Sequence, residues 1–593
     1  MNKFYLAYKI LSPKSKKSFW FVLFLSLIGM CLEVIGIGMI FPAIETFTQP
    51  QWIKKYPLLH NFSMEVGEKN FILFGLLVVV VIFFVKNLFL VYLAFFHSKF
   101  SFNVQVETSS FLFKSYLARQ YEFFLKKNTA ELLRNTIGEV NSFVGYVLQP
   151  FLIIITECLI LTAILSLLIY AEPAAFLVII VFVGFVGWAF NKFTTSRIKN
   201  WGIERQKHEG KKIQYLQEGF DGIKLIKLLE SPSELIRKFN FHSNQGANAG
   251  KNQYAMQQVP RLLLEFLSIL ALSALAITLL SIDSDQESSL SKLGMIAFGM
   301  IRMMPSVARV VNSIQSLIYG MPCVEVLSKE LNNWELQNEK VIKPSRREFK
   351  ESFKMESVSY TYPDSDRESL IDASIEVRKG TCVGILGESG SGKSTLIDIA
   401  LGLLKPKVGN IIIDGDILGS EINSILWKGM VGYVPQDIYL SDDSIRNNVA
   451  FGVGVDEIND EKVWKSLRDA NLQEFTKNLP EGLNTNLGDK GVRLSGGQKQ
   501  RIGIARVLYK NPSLIVFDEA TSSLDVQTES NIMDTIYKLK QKKTFIIVAH
   551  RLSTIARCDK VYRIEKGKVV DEGDFDKVAN NFSLNPKHSL KSL

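Results

Sequence analysis

The run GESGSGKST, Gly387 to Thr395, carries residue types at a spacing suited to holding phosphate. Gly387, Gly390 and Gly392 let backbone N–H groups close around an anion where a Cβ would otherwise intervene. Lys393 has the charge and reach for β- and γ-phosphates, and Ser394 offers a hydroxyl to Mg2+. Ser389 and Thr395 complete the loop and the start of the segment behind it. TCVGIL ahead of the run reads as a buried strand and LIDIALGLL behind it as a helix, the setting that a P-loop requires. The expectation is a site for ATP and Mg2+.

Two later runs supply what a phosphate cradle lacks. LIVFDE, Leu514 to Glu519, reads as a strand ending in two acids. Asp518 would hold Mg2+ from the strand end, and Glu519 would stand where water attacks the γ-phosphate and act as general base. LSGGQKQR, Leu494 to Arg501, places Ser495, Gly496, Gly497 and Gln498 at a helix start, where N–H groups again face a phosphate.

These residues need a scaffold, and the chain divides into two kinds of sequence. It is 593 residues long and 47% hydrophobic, with the apolar residues concentrated in its first half. A net charge of +10 suits nucleic acid or an anionic membrane surface, and the long apolar runs decide for the membrane. Six stretches, near 19–44, 71–97, 144–170, 174–190, 262–282 and 293–319, reach the roughly 20 residues that a bilayer core demands. A soluble nucleic-acid ATPase is thereby excluded. Basic residues crowd 3–17, 98–143 and 191–261, so the N-terminus and the C-terminal half are expected in the cytoplasm. The stretches 98–143 and 191–261 keep helical spacing and read as spans continued into the cytoplasm, the second with a break near Gly219–Gly222. The five cysteines show neither metal nor redox spacing. The expected division is a six-span, all-α domain over 1–325, a linker over 326–351, and an α/β P-loop nucleotide-binding domain over 352–593.

Charges inside spans call for a reason. Glu33, Lys86, Glu157, Arg302 and Arg309 fall within them, and Arg261 and Glu265 open the fifth. Arg302, Ser306, Arg309, Ser313 and Ser316 recur at spacings of four and three, so they share one face of the sixth span. That face is either the wall of a basic aqueous cavity or a set of ion pairs. Lys86 is able to pair with Glu33 or Glu157, and Arg261 with Glu265 at i+4.

With LSGGQKQR behind a P-loop and a strand-end acid pair, the sequence resembles the ABC transporter superfamily over nearly its whole length. The resemblance implies further roles. Tyr362 in SYTYP takes the place of the aromatic that stacks on adenine, with Tyr360 as the second candidate. Gln436 in VPQD takes that of the glutamine that touches Mg2+, Asp525 in SSLD that of the D-loop, and His550 in VAHR that of the switch histidine at the γ-phosphate. Asp489 stands where exporters generally carry glutamate, which keeps the charge. Six spans fused ahead of the nucleotide domain resemble the exporter architecture. This implies a homodimer in the bacterial inner membrane, with coupling helices near 120–127 and 219–228. Within exporters the chain most resembles lipid-linked oligosaccharide flippases of the PglK type, through RMMPSVAR in the sixth span, VPQDIYLSDDSIRNNVAFG and KLIKLLE. Such proteins flip a polyprenyl-diphosphate glycan to the outer leaflet. By that resemblance Lys86, Arg261, Arg302 and Arg309 are candidate contacts for an anionic, lipid-linked glycan. Export of another amphiphile, whether drug, lipid A-like lipid or peptide, is the alternative.

Overall fold

The computed structural model describes residues 2–48, 64–65, 67–171, 173–282, 286–335, 349–363, 365–419, 421–520, 526–540, 542–549 and 551–583. Asp525, His550 and half of the expected linker, 336–348, lie outside these residues. Two compact units result, one of Met1–Arg119 and Phe123–Glu339, the other of Gln120–Glu122 and Lys340–Leu593.

The first unit is all-helical. A short α1 (Asn2–Ile10) precedes α2 (Pro13–Thr48), α3 (Glu68–Leu117) and α4 (Tyr121–Lys126). A helical run follows, made of α5 (Thr129–Leu133), a π-helical turn (Arg134–Glu139), α6 (Val140–Phe143), a second π-helical turn (Val144–Leu148) and α7 (Gln149–Ala171). Then come α8 (Pro173–Asp221), α9 (Ile223–Leu228), α10 (Ser233–Ile282) and α11 (Gln286–Glu335). The expected break falls at Gly222, between α8 and α9. At 49 residues α8 is about 73 Å long, against a hydrocarbon core of about 30 Å, so more than half of it extends past a membrane.

Among the described residues, Pro13–Gly36, Lys69–Leu117, Thr129–Ser166 and Met303–Leu331 are long and apolar enough to cross a membrane. The expected spans 174–190 and 262–282 lie on α8 and α10, where many side chains fall outside the description. Phe84, Phe95, Leu262 and Phe266 point outward, as side chains facing lipid must. Val22, Leu112, Phe143 and Leu327 are completely buried and bind the helices to one another. Gly202 lets α8 meet α11 backbone to backbone, for a Cβ there would stand 2.3 Å from the Tyr319 carbonyl oxygen.

The second unit holds two sheets. β1 (Ser352–Tyr360), β2 (Leu370–Arg378), β4 (Val408–Ile413) and β5 (Asp416–Ile417) form an antiparallel sheet in the order β2-β1-β4-β5. The other sheet runs β10-β9-β3-β8-β7-β6. Its strands are β3 (Cys382–Gly387), β6 (Val431–Val434), β7 (Leu514–Asp518), β8 (Thr544–Val548), β9 (Lys560–Glu565) and β10 (Lys568–Gly573). The pairs β3–β8, β3–β9, β7–β8 and β6–β7 are parallel. β3 and β8 are buried at every residue, because a parallel sheet is covered on both faces and needs continuous apolar runs. β1 instead alternates over much of its length, as a sheet with one wet face does.

Candidate active site

The parallel register gathers the chemistry at one sheet edge. Ile385 on β3 is level with Val548 on β8, which is level with Asp518 on β7, while Val434 on β6 is level with Phe517. Past that line lie the P-loop, Glu519 and Gln436, all beyond the carboxyl ends of neighbouring strands, where an open α/β sheet binds ligands.

The P-loop leads from β3 into the helix Lys393–Ala400, whose N-cap is Gly392. Gly392 has φ +108° and Gly390 φ +76°, both in the left-handed region that glycine reaches without strain. A Cβ on Gly392 would stand 2.7 Å from the Ser369 carbonyl oxygen, whereas one on Gly390 meets nothing within 4 Å. The loop is packed on its protein side and open at its crown, as a phosphate cradle must be. Lys393 is buried and its Nζ donates to the carbonyls of Gly387 at 2.8 Å and Glu388 at 2.9 Å. Burial lowers its pKa, and the charges of Glu519 and Asp518 oppose that shift.

Ser389, Gly390 and Ser394 are exposed, while Gly387 and Thr395 are buried beneath them. Thr395 Oγ1 lies 3.2 Å from the Tyr362 hydroxyl. Tyr362 remains partly exposed beside the loop. Tyr360 is only 1% exposed and donates to Glu122 at 3.1 Å, so it has no face free for a base.

Asp518 accepts from the Tyr433 hydroxyl at 3.1 Å. Glu519 turns out of the strand with φ +49°, a left-handed conformation rare for glutamate, and its N–H is held by the Val548 carbonyl at 3.0 Å. Gln436 is exposed two residues past β6. The hydroxyl of Ser394, the carboxylate of Asp518 and the amide oxygen of Gln436 are hard oxygen donors that fit Mg2+. Carbonyls of the loop itself engage Lys393 in the place of a nucleotide's oxygens, so the residues present fit ATP with Mg2+.

Ser495 caps the helix Gly496–Lys510. Its hydroxyl accepts from the Gln498 N–H at 3.3 Å, and its own N–H donates to the Gln498 side chain at 2.9 Å. This capping box fixes the helix start while Ser495 and Gly496 stay exposed and Gly497 half-buried. Asp525 and His550 cannot be placed, being outside the described residues. Arg551 and Thr554, just past His550, both donate to the buried Glu529, at 2.8 and 2.7 Å.

Sequence reasoning missed Asp398. It lies on the P-loop helix, and burial together with the nearby Asp518 raises its pKa to about 6. The signal was an acid five residues past the P-loop lysine, on the helix that packs beside β7.

The span charges resolve into specific partners. Lys86 is buried against Glu33 at 3.1 Å, so it forms an ion pair rather than an open cavity wall. Arg309 donates to Glu157 through Nε and Nη2, the latter at 3.1 Å, and Nη2 also reaches Ser306 at 3.3 Å. Arg261 and Glu265 are both exposed, and the i,i+4 pair expected of them is not among the ion pairs of the described residues. Arg302 lies on α11, with its side chain outside the description.

Residues 370–522 match the family model described as ABC transporter. The chain is 28% identical over 469 residues to an ATP-dependent lipid A-core flippase of Cupriavidus pinatubonensis, covering 79% of each. It is 27% identical over 559 residues to ATP-dependent lipid A-core flippase 2 of Colwellia psychrerythraea, covering 93% of this chain and 92% of that one. Its fold matches a bacterial Atm1-family ABC exporter with ATP bound, with TM-score 0.79 and 21% identity over 95% of this chain and 98% of that one. A helical unit with apolar helices long enough to cross a membrane, followed by an α/β unit with a complete phosphate cradle, agrees with each of these similarities. The chain carries a nucleotide unit matched by the ABC transporter model at 370–522 and has the fold of an ABC exporter, and it is an ATPase whose hydrolysis is coupled to transport.

Proposed function

We propose that two copies of this chain, in a bacterial inner membrane with their nucleotide units in the cytoplasm, flip a polyprenyl-diphosphate-linked oligosaccharide to the outer leaflet. The observation that carries this reading is Arg309. It sits in an apolar span and hydrogen-bonds Glu157 through Nε and Nη2, yet 49% of its side chain remains exposed. An arginine so oriented offers its remaining donors to a phosphate, for which its planar fork is suited. With Arg261 exposed at the start of its span, the membrane unit presents cationic groups to an anionic head. A cavity for cationic drugs would not be built so.

ATP would lie on the P-loop with its adenine against Tyr362 and its phosphates against Lys393 and the loop N–H groups. Mg2+, held by Ser394, Asp518 and Gln436, would neutralise charge between the phosphates. Glu519 would take the proton of the attacking water, and by the resemblance His550 would contact the γ-phosphate. Ser495 to Gln498 of one copy would cap the nucleotide of the other, with Asp525 in the D-loop role, so each site would need both chains. The exposed apolar face of α9, with Ile223, Leu225 and Leu228 uncovered, supports a partner copy as its cover.

A second reading, transport of a lipid A-like lipid, is favoured by the names of the relatives. Stimulation of ATPase activity separates the two. The polyprenyl-diphosphate glycan should stimulate, and the same glycan on an uncharged polyprenol should not. Stimulation by a lipid A-like lipid alone would move the assignment to the second reading.

A further inference from the structure

We propose that a cavity in the helical unit, walled by the π-helical stretch after Arg134 together with α8, α10 and α11, binds a phosphate-class anion. The cavity has a volume of about 600 Å3, ample for a diphosphate. Arg205, His208, Lys212 and His242 line it, with Tyr146 and Tyr319 at one end.

Its emptiness is built in. Gly246 and Gly250 stand one turn apart on α10 and face the cavity, and a Cβ on either meets nothing within 4 Å. Each glycine costs a helix about 1 kcal/mol relative to alanine, and here no close packing offsets that cost.

Arg205 is the anchor. Its side chain is 11% exposed and lies between the rings of Tyr146 and Tyr319, with centroids at 5.4 and 5.3 Å. Nη1 donates to the Ser142 hydroxyl. Nε and Nη2 are buried without a hydrogen-bond acceptor. The Glu209 carboxylate is 3.8 Å from Nη1 and that of Glu139 is 4.0 Å from Nη2, close enough to balance charge but beyond hydrogen-bond reach. Buried guanidinium donors left unpaired are costly, and an entering anion toward which the guanidinium turns would satisfy them.

The two histidines supply a proton-dependent contact. His208 Nδ1 is 2.7 Å from His242 Nδ1, and His208 Nε2 is 2.9 Å from Glu204 Oε2. A carboxylate accepts, so His208 carries its hydrogen on Nε2 and accepts at Nδ1 in the neutral pair. His242 must therefore donate from Nδ1, which leaves its Nε2 as the position that takes an added proton. Protonation there turns a lone pair into a donor without disturbing the two bonds behind it. Tyr215 stacks on His242 at 5.6 Å and holds the ring in place. The charged groups around the pair are Glu204, Arg205, Lys207, Glu209, Lys211 and Lys212 on α8 and Lys238 on α10, with Arg134 and Glu139 on the facing stretch. Among the described residues of α11, only Tyr319 lines the cavity.

The test titrates pyrophosphate into detergent-purified full-length protein carrying Lys393→Ala, with chelator present, so that the P-loop does not take up the anion. Saturable binding tighter than about 1 mM is expected, and it should tighten as pH falls from 7 to 5, because burial and then His208, Lys211 and Lys207 hold His242 below its ordinary pKa of 6.5. His242→Gln with Lys212→Gln should weaken it at least about tenfold. Gly250→Leu, which fills the cavity without touching a charge, should weaken it as much. Melting temperatures of all variants identify any that fail to fold. Repeating the titration in phosphatidylcholine and phosphatidylglycerol nanodiscs names the source. Competition by the anionic lipid marks a lipid head group, and equal affinity in both marks a soluble anion. Absence of binding, an affinity unchanged in a folded cavity variant, or one independent of pH would overturn the proposal.

Discussion

Tyr433 donates to the Asp518 carboxylate at 3.1 Å, tying the strand that leads to Gln436 to the strand that ends in Asp518 and Glu519. The bond helps to orient the Asp518 carboxylate at the strand end. It also places Asp518 within electrostatic reach of Asp398 on the P-loop helix, so two acids face one small volume.

That crowding makes stability depend on pH. Asp398 has a folded pKa of about 6 against an ordinary 3.8, mainly through burial and then through Asp518. The folded state therefore holds the proton more tightly than the unfolded chain does. Its contribution is fully present below about pH 4 and lost as pH rises through 6. Asp398→Asn should stabilise the ligand-free protein at pH 7.5 by about 1 kcal/mol, after discounting for solvent screening, and by about a third of that at pH 4.5. Paired thermal melts at the two pH values check this.

Glu519→Gln should bind ATP as wild type does and hydrolyse it about 10²–10⁴-fold more slowly, because an amide orients water but takes no proton. Lys393→Ala should weaken nucleotide binding itself, since its Nζ is already poised on the loop carbonyls. Binding and single-turnover measurements on the same preparations separate the two effects.

The nucleotide unit was legible in the sequence because its chemistry sits in short runs. Each of GESGSGKST, LIVFDE and LSGGQKQR contains both its reactive residues and the turn that aims them. What pairs across the fold was not legible. Lys86 with Glu33, and Arg309 with Glu157, join helices far apart in the chain, and no local spacing chooses between the alternatives. Arg261 and Glu265 show the converse. Their i,i+4 spacing suggested a pair, yet both side chains stay exposed. Asp398 was missed because its significance depends on a strand more than a hundred residues later in the chain. The histidine pair joins α8 to α10 in the same manner.

The Arg309–Glu157 pair separates structure from transport. Arg309→Gln leaves a largely buried carboxylate without its partner and should cost about 1–3 kcal/mol in stability. Adding Glu157→Gln should restore the melting temperature. Flipping per folded molecule should stay at least about tenfold down in the double variant, because the cation for the head group is gone. Recovery of flipping with stability would show that the pair serves only the fold.

The uncovered face of α9 is expected to dock on a second copy. Leu228, 77% exposed, is the residue to change. Leu228→Glu should leave ATP binding intact while substrate no longer stimulates hydrolysis, as read by ATPase assays with and without lipid substrate. Unaltered stimulation would remove this face from the coupling route.

The most direct measurement is transbilayer movement in proteoliposomes loaded with a polyprenyl-diphosphate oligosaccharide, scored by the fraction of glycan reached by an external glycosidase. Wild-type protein should change that fraction when ATP and Mg2+ are added, and Glu519→Gln should leave it as it was before ATP. Movement that is equal in wild type and Glu519→Gln, or absent in wild type that still hydrolyses ATP in the same vesicles, would contradict ATP-driven flipping of this lipid.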